Sequence, residues 1–304
     1  MVYHSIFKIS WCQGYICAVK LKLCEMTANL LQLSIADGVA NITLNNPPVN
    51  VLSGSLILAL KQVLKELSDN NEVKVIVFES ANPDFFIAHV DINILEEREI
   101  LNQLQAAAPE GLNLFQAVGE MLRDQPQVTI VKLKGIARGG GAEFVAAADL
   151  SFASLEKGKL GQCEALMGII PGGGATQYLS ERMSRGRALE VILGADLFDA
   201  AMAERYGWIN RALPDASLDA FVSQLAQNIA VLPEGVIAKT KQVLSPVKNI
   251  AGFKAENDAW ASLVFNPAVT EIMTHAMQHG AQTVAGELKL EDLLRSKEIV
   301  SKVI

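Results

Sequence analysis

Two glutamates, each beside a run of glycines, carry the chemistry this sequence can offer. The first loop reads Lys134-Gly-Ile-Ala-Arg138-Gly139-Gly140-Gly141-Ala142-Glu143 and follows the strand-forming residues Val128, Ile130, Val131 and Leu133. The second reads Gly161-Gln162-Cys163-Glu164 and continues through Pro171-Gly172-Gly173-Gly174 to Gln177. A strand that feeds a helix through glycines leaves unpaired backbone N–H groups at the positive end of that helix. Such an end holds either a phosphate or an oxyanion that forms during a reaction. A Walker loop ends in Gly-Lys-Ser/Thr, whereas Gly141 is followed by Ala142 and Glu143, and neither loop supplies the G-x-G-x-x-G dinucleotide fingerprint. A carboxylate two residues past the last glycine repels a pyrophosphate. Beside a carbon acid or an attacking water, the same carboxylate is a proton carrier. The pattern points to acid–base work on a carbonyl compound.

The elements that must position these loops are legible in outline. Residues 31–35 and 39–44 alternate around Asp37-Gly38, which is a hairpin signal. Leu56, Leu60, Val63, Leu64 and Leu67 make an amphipathic helix from Ser53, its N-cap, to Leu67. Val73 to Phe78 is a nearly continuous apolar strand of the kind buried in parallel sheets. Asn82-Pro83-Asp84 turns the chain into Phe85 to Ile92. A helix over 111–122 is stopped by Pro126 before the strand at Val128, and Leu150 to Ser154 is the next strand. Strand–helix alternation predicts an α/β core with helices on the faces of its sheet. Beyond Pro214 the pattern predicts helices over 218–231, 233–244, 252–265 and 268–280, then a charged tail from Glu287.

Both glycine loops, with Gly168-Ile-Ile-Pro-Gly172 and Gln177, resemble the enoyl-CoA hydratase/isomerase (crotonase) family. Three further segments are similar to that family: Asn46-Pro-Pro-Val49-Asn50-Val51-Leu52, Phe85-Phe-Ile-Ala88-His89-Val90-Asp91-Ile92, and Ala200 through Gly207 to Pro214. The matches run in family order from about Leu30 to Pro214. The resemblance implies a crotonase (ClpP-like) spiral of ββα units over 26–214 and a C-terminal helical region over 215–304 that mediates trimerisation and completes the CoA pocket. It also implies a homotrimer, or a hexamer of two trimers, acting on an acyl-CoA thioester with no further cofactor, coenzyme A being part of the substrate. Glu143 and Glu164 match both glutamates of the hydratases. In that reading Glu164 protonates the α-carbon while Glu143 helps activate the water that attacks the β-carbon. The backbone N–H groups of Ala88 and Gly140 would hold the thioester oxygen. Val49, Val51, His89, Val90, Asp91, Ile92, Gly139 and Gly172 would line the substrate and CoA site. Two rivals follow: a Δ3,Δ2-enoyl-CoA isomerase working through the same enolate, and a CoA-binding relative retained for scaffolding.

His89 departs from the family glycine, and two expectations stand: a ring that retunes the pocket, or one that points to solvent. Asp91 is read as ordering its loop or capping a helix that begins at Ile92. Cys163 is read as a buried, inert thiol, since no basic partner is visible. His275 and His279 are spaced i, i+4, but no H-E-x-x-H accompanies them, so a solvated helix face is expected rather than zinc. Glu96 to Glu99 reads as an exposed charged turn or helix, and the missing G-x-S-x-G elbow argues against an α/β-hydrolase.

With 304 residues, half of them apolar and 19% charged, the chain has ample core for a globular protein. A net charge of −7 argues against a nucleic-acid or anionic-membrane surface, and no apolar run approaches the ~20 residues of a membrane helix. Residues 1–25 hold three of the four cysteines and three lysines against one glutamate, without a signal-peptide core. They are expected to form a disordered extension. Cys163, alone in the body of the chain, argues for a reducing compartment, here taken as the cytoplasm.

Overall fold

Asp37 and Gly38 both take positive φ, 50° and 78°, as a two-residue hairpin loop requires. In the computed structural model they join β1 (Leu31–Ala36) to β2 (Val39–Leu44) as an antiparallel pair. The structure describes residues 30–244 and 248–296, so the expectation for residues 1–25 lies outside the described residues. Helix α1 (Gly54–Ser68) follows, its Leu56 N–H donating to the Ser53 hydroxyl at 3.2 Å. Next come β3 (Val75–Ser80), β4 (Phe85–Ile87), a 3-10 turn at Ile94–Glu97, α2 (Arg98–Ala106) and α3 (Leu114–Arg123). Asn113 and Gln116 form a reciprocal capping box at the start of α3, which places that start three residues later than hydrophobic periodicity implied. The chain continues through β5 (Val128–Leu133), β6 (Ile136–Arg138), α4 (Gly140–Ala147), β7 (Leu150–Ser154), β8 (Lys159–Gly161), a 3-10 turn at Glu164–Met167, α5 (Ala175–Arg182) and α6 (Arg185–Gly194). Two-residue β9 (Phe198–Asp199), α7 (Ala200–Tyr206) and β10 (Arg211–Leu213) complete the sheets.

From β3 to β8 successive strands alternate between two sheets. One has the order β1-β2-β3-β5-β7-β10 and the other β4-β6-β8-β9. Pairs β3/β4, β5/β6 and β7/β8 each give one strand to each sheet before the chain enters helical structure, so every turn of the spiral is a ββα unit. Within the large sheet every pairing except β1–β2 is parallel, and β4, β6 and β8 are parallel to one another. Between the sheets lies α4, all eight of its residues buried. Phe144 on this helix packs edge-on to Phe78, with ring centroids 5.1 Å apart, and lies near Phe86. A Cβ added at Gly141 would collide with the Ile87 carbonyl oxygen and lie 2.8 Å from the Ile87 Cβ, so only glycine lets α4 approach β4 this closely.

The C-terminal part is helical. On the outer face of the large sheet, Leu218, Val222 and Ala226 of α8 (Asp215–Ala230) cover Val75, Val77, Ile130 and Phe152. Helix α9 (Val236–Leu244) buries none of its residues. Helices α10 (Ile250–Val264), α11 (Pro267–Gln278), α12 (Val284–Glu287) and α13 (Leu290–Leu294) return over the spiral. Glu287, expected in a charged tail, is instead fully buried. It sits 3.3 Å from Arg138 and 3.0 Å from the His89 ring, while Arg138 also donates to the Glu287 carbonyl at 2.8 Å and to Glu291 at 3.0 Å. Arg138, at the end of β6, is itself inaccessible to solvent. A buried charge persists only when paired, so this cluster pins the last helices to the core.

Two outcomes check this packing. Gly141→Ala is expected to lower stability by about 1–3 kcal/mol in chemical denaturation, whereas Gly186→Ala on α6, where an added Cβ meets nothing within 4 Å, leaves stability unchanged or raised by up to about 1 kcal/mol. Glu287→Ala leaves the buried Arg138 and His89 short of countercharge. It is expected to cost about 3–5 kcal/mol and to expose residues 265–296 to limited proteolysis.

Candidate active site

Strand β6 gives way to Gly139, whose φ of +48° turns the chain so that α4 begins at the next residue. A Cβ on Gly139 would lie 2.8 Å from Glu164 Oε1, and one on Gly140 would lie 3.9 Å from Glu143 Oε2. The two carboxyls thus flank the same pair of glycines although they come from different turns of the spiral. Both are buried, and both line one cavity of about 440 Å³.

Each carboxyl is held by donors. Glu143 Oε1 accepts the N–H groups of Gly173 at 2.8 Å and Ala175 at 3.1 Å, at the start of α5. With its amide turned nitrogen-inward, Gln162 donates to both oxygens of Glu164 at 3.0 and 3.1 Å. Burial pushes the Glu143 pKa well above the usual carboxylate range, and the charges of Glu164 and Glu256 add to this against the pull of the two N–H donors. Burial likewise raises Glu164 to about 7, with its own backbone N–H and His89 opposing and Glu256 reinforcing. Both carboxyls are thus biased toward the protonated form, and they titrate as a pair.

Of the expected oxyanion donors, Gly140 lines the cavity, and its N–H belongs to the first turn of α4, which has no use for it within the helix. Ala88 stands one residue behind the wall, its N–H directed at the Val49 carbonyl over a long 3.3 Å. Val49 and Val51, expected against the substrate, are drawn instead into an apolar cluster with Phe85, Ala88 and Ile136, away from the cavity surface. His89, Val90, Asp91, Ile92, Gly139 and Gly172 do line the cavity. Asp91 accepts the Asn93 N–H at 2.9 Å and orders its loop, and the helical turn after it starts at Ile94 rather than Ile92.

The His89 ring is buried, not solvent-facing. Its Nδ1 lies 2.6 Å from the Val90 carbonyl and its Nε2 3.0 Å from Glu287, so both nitrogens serve the fold. Burial alone would lower its pKa, but Glu287 and the Val90 carbonyl outweigh burial and hold it above its ordinary value, with Arg138 opposing. Burial, and after it the neighbouring Glu164, push the Cys163 thiol up, as an inert thiol requires. His275 corrects another expectation: it is buried, its ring stacked on His279 with centroids 3.8 Å apart, because α11 turns this face toward α13. Among the described residues no His/Cys/Asp/Glu cluster could hold a metal.

Among the cavity residues that sequence reasoning did not single out are Asn113 at the cap of α3 and Asn257 and Trp260 of α10, with one carboxylate behind them. Trp260 closes over Gly172, where an added Cβ would lie 2.9 Å from its ring. Asn113 donates to the Gly172 carbonyl at 2.8 Å and to Asn257 at 3.1 Å. Glu256, buried beside them, accepts from the loop that holds Glu143. Nothing in the local sequence Ala255-Glu256-Asn257 distinguishes it from a surface helix residue; only the folded position of α10 does.

Comparison with known proteins agrees with this arrangement. A family model described as enoyl-CoA hydratase/isomerase matches residues 34–264. A crystal structure of a candidate enoyl-CoA hydratase from Streptomyces avermitilis is 55% identical, covers 90% of this chain and 98% of its own, and superposes with a TM-score of 0.87. An enoyl-CoA hydratase from Mycobacterium avium subsp. paratuberculosis, 22% identical with 82% and 96% covered, shares the fold at a TM-score of 0.70. The fatty acid oxidation complex subunit alpha of Vibrio parahaemolyticus is 30% identical over 178 residues, which is 58% of this chain and 25% of that protein. The peroxisomal fatty acid beta-oxidation multifunctional protein of Arabidopsis thaliana is 30% identical over 194 residues, 64% of this chain and 26% of its own. The chain thus spans about a quarter of the length of these curated relatives. With the family model covering most of the spiral and a paired-glutamate cavity at its centre, the chain belongs to the enoyl-CoA hydratase/isomerase family and has the crotonase fold.

Proposed function

We propose that the protein is an enoyl-CoA hydratase that adds water in the syn sense across the double bond of a trans-2-enoyl-CoA. The observation that carries this reading is the placement of Glu143 and Glu164 on either side of Gly139–Gly140, in one cavity. Water oxygen bonds to the β-carbon and gives its proton to the ionised carboxyl, while the protonated carboxyl delivers its proton to the α-carbon. Both transfers come from one side of the substrate, which makes the addition syn. Between them the thioester oxygen carries negative charge, which the Gly140 N–H receives. The Ala88 N–H is the second donor, drawn from its long bond to Val49 toward the stronger acceptor. Each such donor is worth roughly 3–4 kcal/mol in comparable sites. The new C–O and C–H bonds replace the π bond and one O–H bond of water with no electron donor or acceptor needed, so coenzyme A enters only as part of the substrate.

An isomerase shuttles one proton between two carbons and needs one carboxyl; the second, held by Gly173 and Ala175, favours hydration. A scaffolding relative would have no use for two buried acids facing one cavity. The exposed helix α9, with Val243 and Leu244 each more than 70% exposed, supports subunit contacts in a homotrimer or a hexamer built by the helical region 215–304 around spirals 26–214. Among the described residues no helix is long and apolar enough to cross a membrane, and the net charge of −7 disfavours nucleic acid; a cytoplasmic location fits the lone body cysteine.

Glu143→Gln and Glu164→Gln are each expected to lower hydration of crotonyl-CoA by roughly 10²–10⁴-fold, followed as loss of the conjugated enoyl-thioester absorbance. Full activity in Glu143→Gln would exclude the reading. Burial holds both carboxyls above the ordinary carboxylate range, Glu164 at about 7, so as pH falls through about 7 the pair gains protons and the ionised carboxyl that must take the water's proton is lost. The rate constant kcat/KM should therefore decline on the acid side of about pH 7, along a limb that belongs to the pair.

A further inference from the structure

Four consecutive amides, Gly173 to Thr176, open onto two different carboxylates. The N–H groups of Gly173 and Ala175 point to Glu143. Those of Gly174 and Thr176 point the other way, to Glu256 on α10, at 2.7 and 2.9 Å. Glu256 also receives the Thr176 hydroxyl and, at 3.0 Å, the side-chain amide of Gln116 on α3. One residue along α10, Asn257 accepts from Asn113, which holds the Gly172 carbonyl, and a further turn on, Trp260 packs over Gly172 itself. One face of α10 therefore grips the whole segment from Gly172 to Thr176. The opposite face of that segment holds Glu143.

We propose that Glu256 is a positioning residue for the reaction, fixing the Gly172–Thr176 segment so that its alternate amides hold Glu143 at the substrate. The proposal deepens the hydratase reading and rests on it for its kinetic consequences. Glu256 does not line the cavity, so it acts through the segment and not on the substrate. Bringing a buried carboxylate here costs desolvation, and its four donors offset part of that cost, burial still holding its pKa above the ordinary carboxylate range. A neutral side chain could have filled the space; a carboxylate accepts from both Gly174 and Thr176 and so sets the register of the turn entering α5.

Its charge has a second effect. The charged groups it faces across the segment are Glu143 and Glu164, and it makes both harder to ionise. Gln116 and Thr176, its partners from α3 and α5, are neutral. Farther along α3, Glu120 lies 3.3 Å from Lys248, and on α10 itself Lys254 and Asp258 pair with each other at 2.7 Å on the surface. Glu256 thus both places Glu143 and helps keep a proton on the pair.

Steady-state pH profiles of the full chain with crotonyl-CoA, for wild type, Glu256→Gln and Thr176→Val, test the assignment. Glu256→Gln turns amide hydrogens toward N–H donors. It should lower kcat by roughly 10- to 100-fold with KM little changed, and move the acid limb to lower pH because a negative charge is gone. Thr176→Val removes one donor and keeps the charge; it should lower kcat modestly and leave the limb in place. Wild-type kcat in Glu256→Gln, or an unmoved limb, overturns the proposal. Should that variant fail to fold, Gln116→Leu and Thr176→Val must each lower kcat without raising KM, and wild-type values in both would overturn it. A wild-type chain that transforms no enoyl-CoA would sink the hydratase reading alone. Infrared difference titration of the buried carboxyls then decides the role of Glu256, which requires a lower Glu164 midpoint in Glu256→Gln than in wild type and is overturned by an equal one.

Discussion

Three glycines in a row meet three different parts of the molecule, and the rest of the site depends on their lacking side chains. A Cβ on Gly139 would press on Glu164, one on Gly140 would lie 2.6 Å from Val90, and one on Gly141 would strike the backbone of β4. The contacts bring two other turns of the spiral to the same point: β8 with the turn that follows it, and β4 with its loop. Van der Waals exclusion thus sets how near the two glutamates stand to the amide of Gly140. Any side chain here would push the spiral's turns apart before it altered any chemistry.

Around that point the fold concentrates negative charge in a dry interior, where an isolated carboxylate would cost several kcal/mol. Three buried carboxyls, Glu143, Glu164 and Glu256, share the neighbourhood. Their compensation is mostly uncharged: backbone amides at the start of α5, and the side chains of Gln162, Gln116 and Thr176. Such donors stabilise charge without fully cancelling it, which leaves the pKa values high and the protons available. The other buried network, Arg138 with Glu287, Glu291 and His89, is instead paired charge to charge and holds the C-terminal helices down over the cavity. One cluster is arranged for proton transfer and the other for closure, and His89 touches both: its ring binds Glu287 and its field reaches Glu164.

The sequence by itself determined whatever is written in local pattern. The Asp37-Gly38 hairpin, the Ser53 cap, the strand at Leu150–Ser154 and the four long C-terminal helices are readable because turn chemistry, capping and periodicity act over a few residues. The glycine loops and their glutamates were legible for the same reason, each motif being contiguous. Short β6, β8 and β9, of two or three residues each, carry too little periodicity to be read. Tertiary structure alone decided that Val49 and Val51 go behind the cavity wall, that His89 turns inward to a glutamate 198 residues away, and that Glu256 joins the site from a helix that reads as ordinary surface. Those outcomes are set by burial and charge pairing between segments far apart in the chain, and such energies exist only once the spiral has closed.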